Sequence, residues 1–199
     1  MVTAVSDNSL DRRAAVAALL VSRDDLLVIS GLGSSSYDAN AAGDHEANFY
    51  LWGAMGSAAL VGLGLAQAQP ARPVLVITGD GEQLMGLGGL ATIAVAAPKN
   101  LTIAVIDNGH FGETGMQVSH TGRGLDLAAI AASCGFAKAE TLHELEQVKA
   151  ARSSLSAQAR GPQLYVIKVR AENLPRSLPP RDAVHLKNRF RAQLGLPPN

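Results

Sequence analysis

Val74-Leu75-Val76-Ile77-Thr78-Gly79-Asp80-Gly81-Glu82 is an apolar run that delivers a carboxylate into a glycine turn, and a second run, Leu101-Thr102-Ile103-Ala104-Val105-Ile106, ends in Asp107-Asn108. Nearly unbroken apolar runs of this length, separated by helical segments, are strands buried on both faces, so the fold class is α/β: a doubly wound parallel sheet with helices on both faces. Ligands of such sheets sit beyond the carboxyl ends of the strands, where Asp80 and Asn108 both fall. A carboxylate and an amide at two strand ends are oxygen ligands suited to Mg2+ or Ca2+, whose shell phosphate oxygens, a carbonyl and water would complete. Taken alone, Asp80 reads equally well as a helix cap and Asn108 as a turn residue; the pair carries the cation reading.

Three glycine turns, Gly31-Leu32-Gly33, Gly62-Leu63-Gly64 and Gly79-Asp80-Gly81, invite a dinucleotide-binding reading, but none completes the six-residue fingerprint. The third would also set Asp80 against a bare pyrophosphate, an objection that a cation between them reverses.

Working outward, 9–21 has apolar positions at helical spacing behind Asp11, and Leu26-Leu27-Val28-Ile29 reads as a short strand ending at Gly31. A polar loop is expected through Ser34-Ser35-Ser36 and Asp44-His45-Glu46, followed by a glycine- and alanine-rich helix. The longest apolar run, 51–66, is broken by glycines and falls short of the roughly 20 residues needed to span a bilayer, so it is read as a buried helix. A helix over 82–97 stops at Pro98. A glycine-rich loop over 108–124 has the length of a binding loop, and Asp126 caps a helix over 127–134. A helix near 143–153 leads through Gly161-Pro162 into Leu164-Tyr165-Val166-Ile167-Lys168-Val169, expected to close the sheet.

The 199 residues suit one domain of ordinary size, read as 1–172, with a proline- and arginine-rich tail over 173–199. Seventeen basic residues balance seventeen acidic ones, so no overall field favours nucleic acid or an anionic membrane. The basic amphipathic segment from Arg181 to Leu194 is therefore read as a subunit-docking helix. The single Cys134, in apolar surroundings, reads as a small buried thiol. The N-terminus carries Asp7 and Asp11 and lacks a cationic signal start, so a cytoplasmic location is expected.

The pair Gly79-Asp80-Gly81 and Asn108 resembles the thiamine diphosphate signature of two-oxo-acid decarboxylases. Phe49-Tyr50-Leu51-Trp52-Gly53-Ala54-Met55-Gly56 and Asp107-Asn108-Gly109-His110-Phe111-Gly112-Glu113-Thr114-Gly115 are similar to the pyrophosphate-binding half of phosphonopyruvate and sulfopyruvate decarboxylases, which in the latter can be a separate beta subunit. The resemblance implies a thiamine diphosphate- and Mg2+-dependent (or Ca2+-dependent) carboxy-lyase acting on a small 2-oxo acid. It implies metal ligation by Asp80, the Asn108 side chain and the His110 carbonyl. It implies diphosphate contacts from Gly79, Gly81 and Glu82, from Gly112, Glu113 and Thr114, and from Ser35 in the serine run. Met55 would prop the thiamine, and Gly53 would offer backbone to its aminopyrimidine; without the resemblance Met55 reads as core. Glu113 stands where sulfopyruvate-type relatives often carry serine.

The glutamate that activates thiamine in this family belongs to a pyrimidine-binding domain, which implies an alpha-type partner subunit and self-association through the cofactor domain. Candidates for proton handling are His110, His45 and Glu46, with His120 beside them, and Arg123 is a candidate contact for an anionic substrate tail; each also reads as a surface residue. The same cofactor would serve an acetolactate-synthase-like carboligase or an oxidoreductase subunit, and the same clamp would serve a noncatalytic diphosphate-binding module.

Overall fold

The computed structural model describes residues 9–156 and 158–198, so Asp7 and the start of the expected 1–172 domain lie outside the described residues. Six strands form the main sheet: β1 (Leu27–Ser30), β2 (Asn48–Tyr50), β3 (Val74–Gly79), β4 (Leu101–Asp107) and, past a small hairpin of β5 (His110–Phe111) and β6 (Gln117–Val118), β7 (Lys138–Leu142) and β8 (Gln163–Lys168). Their order is β2-β1-β3-β4-β8-β7, with every pair parallel. All main-sheet strands therefore point their carboxyl ends to one edge.

The two faces follow from the two-residue period of a strand. Leu27, Ile29, Val74, Val76, Ile103, Val105, Leu164 and Val166 pack one way, onto α3 (Ala58–Ala68), α5 (Gly89–Ala96) and α6 (Leu127–Cys134). Val28, Leu75, Ile77, Ala104, Ile106, Tyr165 and Ile167 pack the other way, onto α1 (Arg12–Leu20), α2 (Ser34–Ala41) and α7 (Leu145–Ser153). Fully burying one such aliphatic side chain contributes about 1.5–3 kcal/mol. Gly62 lets α3 lie against the sheet, since a Cβ there would stand 2.2 Å from Val76 Cγ2.

Several expected elements are corrected. The strand at 163–168 does not close the sheet: it lies between β4 and β7, and the edge is β7, whose Lys-Ala-Glu-Thr-Leu sequence is mostly half-exposed and lacks a buried run. The serine run is not loop but the first turn of α2, and the short β2 follows the Asp44-His45-Glu46 bend. The 51–66 run becomes helix only from Ala58, and its outer face exposes Leu60 and Val61. The segment 82–97 is two helices, α4 (Asp80–Met85) and α5. The helix ends at Gly86, where a Cβ would stand 2.0 Å from the Gly56 carbonyl oxygen.

The tail beyond 173 lies on the same body. Arg13 donates to the Pro175 carbonyl, Asn40 Nδ2 to Ser177 Oγ (2.8 Å) and Trp52 Nε1 to the Pro180 carbonyl (2.9 Å). Asp182 caps α8 (Ala183–Gln193), accepting from the amides of Val184 and His185. The buried Leu186 and Phe190 face the domain, with the Phe190 ring 5.4 Å from Phe49 in β2, and Arg189 grips Asp44 through two hydrogen bonds of 2.7 and 2.9 Å. The apolar face read as docking onto another subunit is thus used within the chain. Among the described residues no helix is long and apolar enough to cross a membrane.

Candidate metal and cofactor site

β3 and β4 are neighbours, with Gly79 opposite Ile106, so the carboxyl ends of these strands place Asp80 and Asn108 side by side. One cavity is lined by Ser34, Ser35, Met55, Gly79, Asp80, Gly81, Glu82, Asn108, His110, Gly112, Glu113 and Thr114, together with Arg12, Leu32, Ile106, Phe111 and Val169. It gathers every residue expected at the metal and all but Gly53 of those expected at the cofactor. Gly53 lies two positions before Met55, which is 43% exposed at the cavity and so is not core.

Asp80 is the first residue of α4 and 2% exposed. Its Oδ2 accepts from Ser119 Oγ at 2.5 Å and Thr121 Oγ1 at 3.0 Å. Burial pushes its carboxyl above the ordinary range; Ser119 and Thr121 oppose the shift and the nearby Asp107 charge adds to it. Thr121 has one hydroxyl proton, shared between Asp80 Oδ2 and the nearer Asp107 Oδ1 at 2.8 Å; Gly109 N donates to the same Asp107 oxygen at 2.9 Å, and Lys168 Nζ meets Asp107 Oδ2 at 2.5 Å. Asn108 Oδ1 accepts the His110 amide at 3.0 Å, while His110 Nδ1 lies 2.8 Å from the Asn108 carbonyl, which turns the ring back on its own loop.

Glu82, 4% exposed, turns beneath the first glycine turn, where Thr78 Oγ1 donates to its Oε2 at 2.9 Å. Burial raises its carboxyl, against the opposing hydrogen bonds of Thr78 and of the Ala58 and Gly56 amides. Glu113 lies at the rim, 3.5 Å from Ser34 Oγ and 3.4 Å from Arg176. Arg12, the cavity's guanidinium, is held by Asp38 at 2.6 Å. Close packing shapes the cradle: a Cβ on Gly81 would stand 2.7 Å from the Phe111 ring, and Gly33, at φ 77°, would bring one to 2.9 Å from Glu113 Cγ.

His45 and Glu46 are corrected as proton-handling candidates. They immediately precede β2, and in a parallel sheet residues before a strand lie at the amino edge, opposite Asp80 and Asn108. There Ala47 N donates to His45 Nδ1 at 3.0 Å. His120 sits edge-on to Phe111 with ring centroids 6.3 Å apart, and neither His120 nor Arg123 lines the cavity. The sequence by itself assigns no role to Ser119, Thr121, Asp107 or Lys168; the only signal is the second acid in the Asp107-Asn108 doublet and two hydroxyls within the glycine-rich loop.

The residues fit a metal-bound diphosphate. Asp80, Glu82 and Glu113 outweigh Arg12 around the cavity, which disfavours a diphosphate alone and favours one neutralised by a cation. Asp80 carboxylate, Asn108 amide oxygen and His110 carbonyl would be hard oxygen donors. Among the described residues no cluster of three His, Cys, Asp or Glu side chains offers another metal site.

Residues 31–168 match the family model described as the thiamine pyrophosphate enzyme, C-terminal TPP binding domain. The chain is 39% identical over 175 residues to a phosphonopyruvate decarboxylase of Streptomyces viridochromogenes, covering 87% of this chain and 43% of that protein. It is 42% identical over 127 residues to the sulfopyruvate decarboxylase subunit beta of Methanothermobacter thermautotrophicus (64% of this chain, 68% of that one). It is 34% identical over 164 residues to the corresponding subunit of Methanococcus maripaludis, covering 81% and 86%. The chain thus spans less than half the length of the phosphonopyruvate decarboxylases it matches, 43% and 47%. Among solved structures, benzoylformate decarboxylase from Polynucleobacter necessarius shares the fold, with a TM-score of 0.70 at 18% identity over 87% of this chain and 36% of that one.

Proposed function

This chain belongs to the thiamine pyrophosphate enzymes and carries their cofactor-binding domain, and we propose that it is the beta-type subunit of a thiamine diphosphate- and Mg2+-dependent decarboxylase of a small 2-oxo acid of the sulfopyruvate or phosphonopyruvate kind. What supports this is the position of Asp80 and Asn108 just past adjacent strand ends, with His110 two residues on, lining one cavity with the glycine turns. Asp80, the Asn108 side chain and the His110 carbonyl hold the metal. Ser35, the backbone of Gly79, Gly81 and Glu82, and the Gly112, Glu113 and Thr114 turn receive the diphosphate, while Met55 and Gly53 seat the organic rings. Thiamine diphosphate supplies the electron sink into which a 2-oxo acid loses carbon dioxide. The His110 ring, with Nδ1 turned to the Asn108 carbonyl, is the proton-handling candidate that this side of the cleft retains.

A pyrimidine-binding alpha subunit completes the site. The naming of close relatives as beta subunits supports this. The cofactor domain also self-associates. Support comes from α3 and α5, which carry no charged residue and expose Leu60, Val61 and Val95, with Met85 beside them; an exposed apolar patch of this kind marks an interaction site. The complex works in the cytoplasm on a small-molecule substrate, without nucleic acid or membrane.

Incubated alone with thiamine diphosphate, Mg2+ and either acid, the chain is expected to release no carbon dioxide, and turnover should follow addition of the partner. Robust turnover by the chain alone would overturn the subunit reading. A reconstituted pair that binds cofactor but consumes neither acid would overturn the substrate class.

A further inference from the structure

Two hydroxyls from the far end of the 108–124 loop land on the same oxygen of Asp80. Ser119 Oγ reaches Oδ2 at 2.5 Å and Thr121 Oγ1 at 3.0 Å, and the two hydroxyls are 2.9 Å apart. All three residues are buried, Ser119 completely. The hydroxyls are themselves fixed. Ser119 N donates to the Gly109 carbonyl at 2.8 Å, and Thr121 Oγ1 is tied to Asp107 Oδ1 at 2.8 Å. Asp107, at the end of β4, is held in turn by Lys168 at the end of β8. Asp80 is therefore braced from two other strand ends, and one of its two oxygens is already engaged.

That asymmetry bears on which ion the site takes. Mg2+ demands near-ideal octahedral geometry with short bonds to single carboxylate oxygens, whereas Ca2+ accepts more ligands, longer bonds and bidentate carboxylates. The Asp80 carboxylate, held at Oδ2 by Ser119 and by a share of the Thr121 proton, keeps Oδ1 as its freer oxygen for a cation. Resting on the metal-diphosphate reading, we propose that Ser119 and Thr121 are positioning residues that hold Asp80 to one-oxygen ligation and so make the site select Mg2+ over Ca2+. If they merely satisfied a buried carboxylate, their loss would lower stability and leave the preference between ions unchanged.

The test is calorimetric titration of the full chain with MgCl2 and with CaCl2 at saturating thiamine diphosphate, comparing wild type, Ser119→Ala/Thr121→Val and the hydroxyl-preserving Ser119→Thr/Thr121→Ser. In the first variant the Mg2+ Kd is expected to rise roughly ten- to a hundredfold, the usual effect of removing groups that orient a metal ligand, with a much smaller change for Ca2+. The hydroxyl-preserving variant should keep the wild-type ratio. The single Thr121→Val substitution, which leaves Ser119 on Oδ2, should move the ratio the same way by a smaller factor and serves if the double variant does not fold. Equal weakening of both ions, or an unchanged ratio, would overturn the proposal. Asp80→Ala separates the two levels. If it abolishes binding of both ions while the hydroxyl variant keeps its ratio, only the positioning role fails. If Asp80→Ala binds Mg2+ normally, or wild type binds none, the metal site itself fails and the proposal with it.

Discussion

Replacing Gly31 with alanine would place a methyl group 1.6 Å from Glu82 Oε2 and 2.6 Å from its Cδ, far inside contact distance. Gly31 is not among the glycines at positive φ, so the backbone itself would accept alanine, and at an open site the change would stabilise by about 0.4–1 kcal/mol. Here the Glu82 carboxyl must move. It is buried, so moving breaks the Thr78 hydrogen bond and drives the group toward the cavity proposed for the diphosphate. Overpacking costs about 1–3 kcal/mol and the lost hydrogen bond about 1 kcal/mol, a total of about 2–4 kcal/mol. For a domain of this size that is a fall in Tm of about 5–15 °C. Thermal melts of wild type, Gly31→Ala, Glu82→Ala and the double variant form a cycle in which Glu82→Ala removes the obstacle. A coupling of at least about 1 kcal/mol is expected. Strict additivity, or a Gly31→Ala melt within about 1 °C of wild type, would refute the placement of Glu82 under the first glycine turn.

Glu82 also sets a pH dependence. Its carboxyl is raised by burial above the ordinary value of 4.5, so the folded state holds the proton more tightly than the unfolded chain. Its contribution is fully present below about 4.5 and is lost as pH rises through the folded value. Glu82→Gln, neutral throughout, should gain on wild type in Tm between pH 4 and pH 8, and parallel profiles would contradict this. Phe190→Ala should cost about 3 kcal/mol by urea denaturation, because the ring is buried against Phe49. Arg189→Ala, which breaks a pair with the half-exposed Asp44, should cost about 1 kcal/mol or less. A Phe190→Ala variant as stable as wild type would mean that α8 does not rest on its own chain.

The strands that carry the site were legible because each is a buried apolar run: Val74 to Ile77 and Leu101 to Ile106 announce a parallel sheet, and the residues just past them announce its ligand edge. β7 was not legible, since an edge strand needs no apolar run, and β2 was hidden because three residues show no period. The break between α4 and α5 depends on Gly86 meeting Gly56, a tertiary contact that local propensity does not encode. The cavity's lining followed from the glycine turns and from the family resemblance. His45 and Glu46 are not legible as amino-edge residues because the short β2 that fixes them there leaves no pattern in the sequence. Ser119 and Thr121 were invisible for a related reason, since hydroxyls in a loop reach Asp80 only once that loop folds back across two strand ends.

The most direct test is a thermal-shift titration of the isolated chain with thiamine diphosphate, with and without Mg2+, for wild type and Asp80→Ala. Ligand at about a hundred times its Kd stabilises the folded state by about 2.7 kcal/mol, a rise of roughly 5–10 °C for a domain of this size. That rise is expected in wild type only when both thiamine diphosphate and Mg2+ are present, and it should vanish in Asp80→Ala. A rise independent of Mg2+, one that survives Asp80→Ala, or no rise at all would contradict the metal-diphosphate reading.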